Sequence, residues 1–238
     1  MGDDQENTQR TLAALVNHPN AGAVLVMGLG CENNHVDLFR KFVGEAPPGR
    51  VMYMNCQQEP DEQQAALGRL DALTQYAARF RRQPCPTSKL VIGLKCGGSD
   101  GFSGITANPL LGALSDRLCA QGAATLLTEV PEMFGAEHLL MARCVDRNTF
   151  SRAVDLINGY KRYFARYGEA VSENPSPGNK AGGITTLQDK SLGCTQKGGL
   201  SPVTDVLPIG CAASRQGLQL VNGPGNDLCA CTVLACAG

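Results

Sequence analysis

The sequence predicts an α/β fold, in which a parallel sheet is flanked by helices in a Rossmann-like arrangement of three layers. Three observations support this prediction. Four apolar runs have the length of strands, they alternate with helical patterns along the chain, and they are apolar throughout instead of at every second residue. Continuously apolar strands are typical of parallel sheets that are covered on both faces. Alternation of strands and helices is typical of βαβ units.

The predicted strands are short and rich in aliphatic residues, and they span 23–27, 51–54, 90–94 and 125–128. A helix is predicted over 61–81, because apolar residues recur there every three or four positions and form one stripe. The members of this stripe are Ala66, Leu70, Leu73, Ala77 and Phe80.

Three more helices follow from capping and periodicity signals. Asn108 followed by Pro109 is typical of a helix start, and Gly122 is placed to end that helix. Apolar residues from 150 to 164 indicate another helix, which Gly168 ends. The segment 222–227 opens a final helix.

A polar stretch with two prolines, 81–89, is the best candidate linker, and it divides the chain into domains 1–82 and 83–238. The form Val-x-Gly-Leu-x-Cys occurs once in each domain, ending at Cys31 and at Cys96. If both preceding strands are parallel, both cysteines lie at the carboxyl edge of a sheet, where α/β proteins bind ligands.

Composition excludes several classes of protein. The 238 residues include 21 basic and 22 acidic side chains, and the resulting net charge of -1 offers no surface for nucleic acid. The longest apolar stretch, 21–29, is too short to span a membrane, and the acidic start is unlike a secretory signal. We therefore expect a soluble cytoplasmic protein, whose 11 cysteines are reduced and mostly buried, metal-bound or reactive.

Polar, glycine-rich loops are the segments that point to chemistry. They span 96–109, 128–138, 173–183 and 222–227, each at a predicted strand or helix terminus. Glycine lets backbone N–H groups approach a ligand closely, and helix N-termini favour negative charge. The loops therefore predict a site for an anionic substrate. The partial motif Gly28-x-Gly30 lacks the third glycine of a dinucleotide-binding loop, so that function is rejected.

The same loops resemble the altronate/galactarate dehydratase family. The resemblance covers nearly the whole chain and is carried by segments 28–34, 96–101, 104–109, 128–137, 173–183, 190–197 and 224–227. It implies a hydro-lyase that dehydrates a sugar acid to a 2-keto-3-deoxy acid, with D-altronate and 2-dehydro-3-deoxy-D-gluconate as the favoured substrate and product. It also implies assistance by Fe²⁺ or Mn²⁺, with an iron–sulfur cluster as an open alternative.

In domain terms, the resemblance implies a truncated Rossmann-like catalytic domain preceded by part of a dimerisation domain. We therefore expect a homodimer, and an internal piece of a longer protein that lacks segments at both ends. Galactarate or a sulfonated hydroxy acid is an alternative substrate. A non-catalytic fragment that dimerises or binds a ligand is an alternative of another class.

Two sets of metal ligands are compatible with the sequence. The thiolate set consists of Cys31 and Cys96, to which Glu32 or Asp100 adds oxygen. The oxygen set consists of Asp100, Glu129, Glu132 and Glu137. Thiolates suit iron, whereas carboxylates suit manganese or ferrous iron.

Four residues are candidates for catalysis: Lys180, Asp100, Glu137 and His138. Lys180 transfers a proton if its surroundings lower its pKa, and otherwise it binds the substrate carboxylate as a plain cation. His138 acts as an acid or a ligand, or else packs against its helix. The candidates for binding a polyhydroxylated substrate are Asn34, Gly97, Gly98, Ser99, Asn108, Asn174 and Asn179.

Overall fold

A computed structural model describes residues 2–171 and 173–238 of the chain. The chain divides into two compact units, of which the first ends at Pro84 and the second begins at Cys85.

The N-terminal unit is built on two parallel strands with three helices. Its elements are α1 (Gly2–Val16), β1 (Val24–Gly28), α2 (Val36–Val43), β2 (Val51–Asn55) and α3 (Glu62–Ala77). Strands β1 and β2 pair from Val24 opposite Val51 to Gly28 opposite Asn55. A small core lies between α1, α2 and the strands, and its buried members are Ala13, Val16, Phe39 and Val43.

Helix α3 is shorter and less buried than the sequence predicts. Asp61 caps its N-terminus by accepting a hydrogen bond from the backbone N–H of Gln64 at 2.9 Å. Within the predicted apolar stripe, Leu73 is buried, whereas Leu70 and Phe80 are exposed. Periodicity identified this helix correctly, but the two-stranded sheet is too small to cover its whole apolar face.

The C-terminal unit contains a four-stranded parallel sheet in the order β3-β4-β6-β5. Its strands are β3 (Val91–Leu94), β4 (Ala124–Leu127), β5 (Val203–Leu207) and β6 (Gly217–Val221). Its helices are α4 (Ala107–Ala120), α5 (Glu137–Met141), α6 (Arg147–Arg166), α7 (Pro177–Ala181), α8 (Leu187–Gln196) and α9 (Asp227–Ala237).

Helices cover this sheet on both faces. Successive residues of a strand point to opposite faces, and Leu126 and Leu127 accordingly belong to different apolar clusters. Leu127 packs in the cluster that includes Ala153 and Ile157 of α6, whereas Leu126 packs with Val233 of α9. The predicted α/β class, with parallel strands flanked by helices, is confirmed, and the predicted strands are observed as β1 to β4.

Strands β5 and β6 were not predicted. They are parallel neighbours, yet the connection between them, 208–216, contains no helix. Parallel strands are ordinarily joined by a crossover of a dozen or more residues that includes a helix. Buried polar residues, Asp205 in β5 and Gln219 in β6, interrupt the apolar runs by which the other strands were identified.

Helices α4 and α8 approach each other closely beside the sheet. A Cβ added to Gly112 of α4 would collide with the carbonyl oxygen of Gln196 at the end of α8. Only a residue without a side chain permits this distance. At its start, α4 is preceded by Thr106 as N-cap residue, and Asn108, predicted to be the cap, lies buried in the first turn.

Asp116 of α4 fixes the turn that leads from α8 into β5. Its carboxylate accepts hydrogen bonds from the backbone N–H of Leu200 at 2.9 Å and from the N–H of Ser201 at 2.7 Å. Partial burial acts to raise the pKa of Asp116, but the hydrogen bonds from Ser201 and Leu200 outweigh it and lower the pKa.

Among the described residues, no helix combines the length and the apolar character that a membrane crossing requires.

We expect Gly112→Ala to lower the free energy of unfolding by about 1–3 kcal/mol, because α4 and α8 must separate. Gly159→Ala is the matched control, since a Cβ added to Gly159 of α6 meets nothing within 4 Å. This control should raise the free energy of unfolding by about 0.5–1 kcal/mol. Urea unfolding followed by circular dichroism measures both variants. Equal stability of the two variants would show that the α4–α8 approach is not sterically limited.

We expect Asp116→Asn to lower the free energy of unfolding by about 1 kcal/mol at neutral pH, because it weakens the hydrogen bonds to the backbone of Leu200 and Ser201. The effect is modest because Asp116 is partly exposed and solvent screens its charge. The folded-state pKa of Asp116 is below the ordinary 3.8. Its contribution is therefore complete above that pH and disappears as the pH falls through the lower folded-state pKa. Urea unfolding of wild type and variant, from neutral pH down through the folded-state pKa of Asp116, measures the difference between their free energies of unfolding. This difference should become smaller as the pH falls. A difference that widens in acid contradicts this assignment, and Asp155→Asn, at an exposed site on α6, is the control.

Candidate active site

The carboxyl ends of β3 and β4 deliver the chemically distinctive side chains of the C-terminal unit. Lys95 and Cys96 directly follow β3, and Glu129 follows β4 after one intervening residue. Because β3 and β4 are neighbouring parallel strands, these residues meet at one edge of the sheet. This is the edge at which α/β sheets bind ligands.

Seven charged or thiol side chains gather at this edge, and we call them the edge cluster. They are Lys95, Cys96, Glu129, Glu132, Lys190, Lys197 and Asp227.

Glu129 is fully buried at the centre of the edge cluster. Lys95 Nζ lies 2.7 Å from its Oε1, and Lys197 Nζ forms an ion pair with its Oε2. Burial acts to raise the pKa of Glu129, but the charge of Lys197 and the hydrogen bonds from Cys96 and the lysines outweigh it. The net effect lowers the pKa, so Glu129 is a carboxylate at neutral pH.

The backbone of Glu129 is also unusual. Its φ of 65° and ψ of 43° place it in the left-handed region. Among the described residues, it is the only one other than glycine with a positive φ. This conformation costs a side-chain-bearing residue on the order of 1 kcal/mol, and surrounding contacts must hold it in place. Such strain is concentrated at functional sites.

Cys96 links the two glutamates of the edge cluster. Its Sγ lies 3.0 Å from Glu129 Oε1 and 3.6 Å from Glu132 Oε2. Burial raises the pKa of the Cys96 thiol; the charge of Lys197 opposes this rise, and the two glutamates add to it. With its pKa raised, the thiol keeps its proton and donates it toward a carboxylate.

Each carboxylate of the edge cluster has a lysine partner. Lys197 is fully buried against Glu129. Burial acts to lower the pKa of Lys197, but the surrounding acidic groups outweigh burial and raise the pKa, so the ammonium stays charged. The remaining pairs are Lys190 with Glu132 at 3.2 Å and Lys95 with Asp227 at 2.7 Å. Within each pair the positive charge of the lysine offsets the negative charge of the carboxylate. This pairing allows so many charges to lie near a protein interior.

A divalent metal ion fits part of the edge cluster. The ligand atoms of Cys96, Glu129 and Glu132 lie within 4.8 Å of one another, and the described residues contain no other group of this kind. With small adjustments, atoms this close can reach one ion at about 2.0–2.6 Å. Binding of a metal ion would release the thiol proton of Cys96, and a thiolate with two carboxylates is a mixed donor set that suits divalent transition metals. This set takes one residue from the predicted thiolate ligands and two from the predicted oxygen ligands.

A cavity of about 340 Å³ opens beside the edge cluster. Cys96, Glu132, Lys190 and Lys197 contribute to its wall. The rest of the lining is mostly polar or glycine, and it includes Ser99, Asp100, Ser103, Asn108 and Asp189. Five of the predicted residues therefore lie together at this cavity: Cys96, Ser99, Asp100, Asn108 and Glu132.

Asp100 lies on the cavity wall as an ionised carboxylate. Ser103 donates hydrogen bonds to Asp100 Oδ1 from both its backbone N–H and its hydroxyl, each at 2.9 Å. These hydrogen bonds lower the pKa of Asp100. The neighbouring Asn179 does not line the cavity but donates to the carbonyl oxygen of Ser99 at 2.9 Å, which fixes the loop.

Several predicted residues of the C-terminal unit lie away from the cavity wall. Lys161 Nζ lies 2.7 Å from Glu137 Oε1. Burial acts to raise the pKa of Glu137, but hydrogen bonds, above all the one from Lys161, outweigh burial and lower the pKa. His138 and Lys180 are exposed. Exposure of Lys180 favours the role of a plain cation over that of a desolvated base. Gly97, Gly98 and Asn174 are also absent from the described wall of the cavity.

Three predicted residues belong to the N-terminal unit. Glu32 accepts hydrogen bonds from the backbone N–H groups of Leu29 and Gly30 at 2.8 and 2.6 Å, so it closes its own loop. Cys31 is exposed and contacts Gln57 at 3.4 Å. Asn34 accepts a hydrogen bond from Gln9 at 3.0 Å.

Sequence reasoning missed four members of the edge cluster: Lys95, Lys190, Lys197 and Asp227. A signal for two of them existed in the sequence. Lys190 and Lys197 lie seven positions apart, which is two turns of a helix, and the residues between them are mostly small and polar. This spacing places both lysines on one face of the helix, and the structure gives each its own acidic partner, Glu132 for Lys190 and Glu129 for Lys197.

Comparison with known proteins identifies the family of this chain. The family described as "D-galactarate/Altronate dehydratase, C-terminal" matches residues 87–238, and "D-galactarate dehydratase/Altronate hydrolase, second domain" matches residues 1–78. Altronate dehydratases of Bacillus subtilis and Escherichia coli are each 55% identical over all 238 residues, which cover 48% of either relative. Galactarate dehydratase (L-threo-forming) of Escherichia coli is 34% identical over 92% of this chain and 43% of its own length.

The chain thus spans about half the length of the curated relatives it matches. The two family matches together extend over nearly all of its residues. The chain therefore belongs to the D-galactarate/altronate dehydratase family.

Proposed function

We propose that this chain carries the active site of a metal-dependent hydro-lyase that dehydrates D-altronate to 2-dehydro-3-deoxy-D-gluconate. The observation that carries the proposal is the edge cluster, in which Cys96, Glu129 and Glu132 converge beside a polar cavity. The 55% identity to two altronate dehydratases supports altronate as the substrate.

Dehydration of a sugar acid requires two difficult steps. The proton on the carbon next to the carboxylate must be removed, and the hydroxyl on the following carbon must leave. An active site for this reaction needs a cationic environment for the carboxylate and a base for the proton. It also needs an acid that protonates the departing hydroxyl so that it leaves as water, and polar groups that hold the remaining hydroxyls.

Cys96, Glu129 and Glu132 would hold the metal ion, Fe²⁺ or Mn²⁺. A bound divalent ion supplies Lewis-acid stabilisation of the negative charge that develops on the substrate carboxylate. The buried pair of Lys197 with Glu129 keeps one carboxylate fixed in position for this role.

The cavity wall binds and orients the substrate. Ser99, Ser103 and Asn108 offer hydrogen-bonding groups to a polyhydroxylated chain. Lys190 adds positive charge at the same wall, which suits an anionic substrate. We assign Asp100 as the base because its carboxylate lines the cavity. The hydrogen bonds from Ser103 lower its pKa and so reduce its basicity, which leaves its position as the ground for the assignment. Both bonds from Ser103 end on Oδ1, and Oδ2 accepts the substrate proton.

The alternatives from the sequence are tested by the same assay. Galactarate and a sulfonated hydroxy acid serve as competing substrates. A folded chain without activity would favour a dimerising or ligand-binding fragment. The homodimer and the cytoplasmic location remain predictions.

We expect the chain, purified under anaerobic and reducing conditions with Fe²⁺ or Mn²⁺, to form 2-dehydro-3-deoxy-D-gluconate from D-altronate. Cys96→Ser and Glu132→Gln should each lower kcat/KM by about a hundredfold or more, because each removes a candidate metal ligand without breaking the buried pair of Glu129 with Lys197. Cys231→Ser and Glu169→Gln, at exposed positions, are matched controls with unchanged activity. Full activity in Cys96→Ser would contradict the proposed site.

We expect a chelator to abolish product formation and added Mn²⁺ or Fe²⁺ to restore it, because the edge cluster offers three ligands but no covalent attachment. Product formation after dialysis against the chelator, and after readdition of each ion, measures this effect. Turnover that persists after metal has been removed to background levels would exclude the metal-dependent mechanism.

Asp100→Asn should lower kcat with little change in KM, because it removes the base but keeps the shape of the side chain. Steady-state kinetics with D-altronate measures both constants, and Asp155→Asn is the matched control. If Asp100→Asn raises KM and leaves kcat unchanged, Asp100 binds the substrate instead of accepting its proton.

A further inference from the structure

Lys190 differs from the other lysines of the edge cluster in how firmly it is held. Its Nζ lies 3.2 Å from a single carboxylate oxygen, Glu132 Oε2. By contrast, Lys95 Nζ lies 2.7 Å from each of two carboxylates, Glu129 and Asp227. Lys190 therefore has the weakest ionic attachment of the three.

Lys190 also has access to the cavity. Both Lys190 and Lys197 contribute to the described cavity wall. The side chain of Lys197 is completely buried in its pair with Glu129, whereas that of Lys190 is 5% exposed. An anion that enters the cavity can thus be met by Lys190 without breaking the fully buried pair.

Lys190 and a metal ion would compete for the carboxylate of Glu132. This residue is both the partner of Lys190 and one of the three grouped metal-ligand candidates. A divalent ion carries more charge than an ammonium group, and both need the same carboxylate. Lys190 thus occupies the position of a counter-ion to a candidate metal ligand.

We propose that Lys190 is a substrate-binding residue whose ammonium group is paired with Glu132 until a metal ion binds that carboxylate. When Glu132 becomes a metal ligand, the ammonium of Lys190 is released from it and binds the carboxylate of the sugar acid. This inference rests on the proposed function. It assigns the substrate carboxylate to Lys190 and predicts that Lys190 opposes metal binding while no substrate is present.

The test is the affinity of the chain for Mn²⁺ without substrate, measured by isothermal titration calorimetry or by electron paramagnetic resonance of free Mn²⁺. We expect Lys190→Met to bind Mn²⁺ about tenfold more tightly than wild type, because the competing cation is gone. Lys190→Arg, which keeps the charge, should stay close to wild type. Lys41→Met, at an exposed position on α2, is the matched control and should not change the affinity.

A second measurement addresses the substrate. At saturating Mn²⁺, Lys190→Met should bind D-altronate about tenfold more weakly than wild type, because a hydrogen-bonded charge pair is lost. If Lys190→Met does not fold, as judged by circular dichroism, Lys190→Gln replaces it as the neutral variant.

Mn²⁺ affinity that is unchanged or weaker in the neutral variant overturns the inference. If wild type nevertheless binds Mn²⁺ and converts altronate, the proposed function survives that result. If wild type binds no Mn²⁺ at all, both the metal site and the role of Lys190 are wrong.

Discussion

The buried ion pair between Glu129 and Lys197 is the interaction on which the candidate site depends. Both side chains are fully removed from solvent, so neither charge can be left without the other. Removal of one partner of such a pair is expected to cost about 3–5 kcal/mol, because the remaining charge stays buried. The pair joins the segment after β4 to the residue after α8, and thus connects the sheet with α8.

The strain at Glu129 follows from the same arrangement. Its left-handed backbone turns the chain directly after β4, so that the carboxylate meets Lys95 from the neighbouring strand end and Lys197 from the helix side. The contacts of the two lysines compensate for the unfavourable backbone conformation. The result is a carboxylate whose position is fixed before any ligand arrives, which is a condition for an effective catalytic or metal site.

Parallel strands and their edge could be predicted because β1 to β4 are continuous apolar runs. Strands β5 and β6 escaped prediction because Asp205 and Gln219 break their apolar pattern, although both residues are buried. Cys96, Glu129 and Glu132 were predicted as metal ligands because a thiol and carboxylates occur in polar loops at strand-to-helix junctions, and the structure brings their ligand atoms within 4.8 Å of one another. The lysines were missed because a lysine is ordinarily exposed, and only the fold shows that Lys190 and Lys197 are buried against acidic partners. Conversely, Glu32 and Glu137 looked like ligands in the sequence, whereas the structure shows them satisfied by local backbone and by Lys161.

The most direct test of the account is X-ray absorption spectroscopy of the chain loaded with Mn²⁺ or Fe²⁺ under reducing conditions. We predict one sulfur scatterer among oxygen scatterers in the first coordination shell, and loss of that sulfur in Cys96→Ser. A first shell of oxygen and nitrogen only in the wild type, or a sulfur signal that persists in Cys96→Ser, would contradict it.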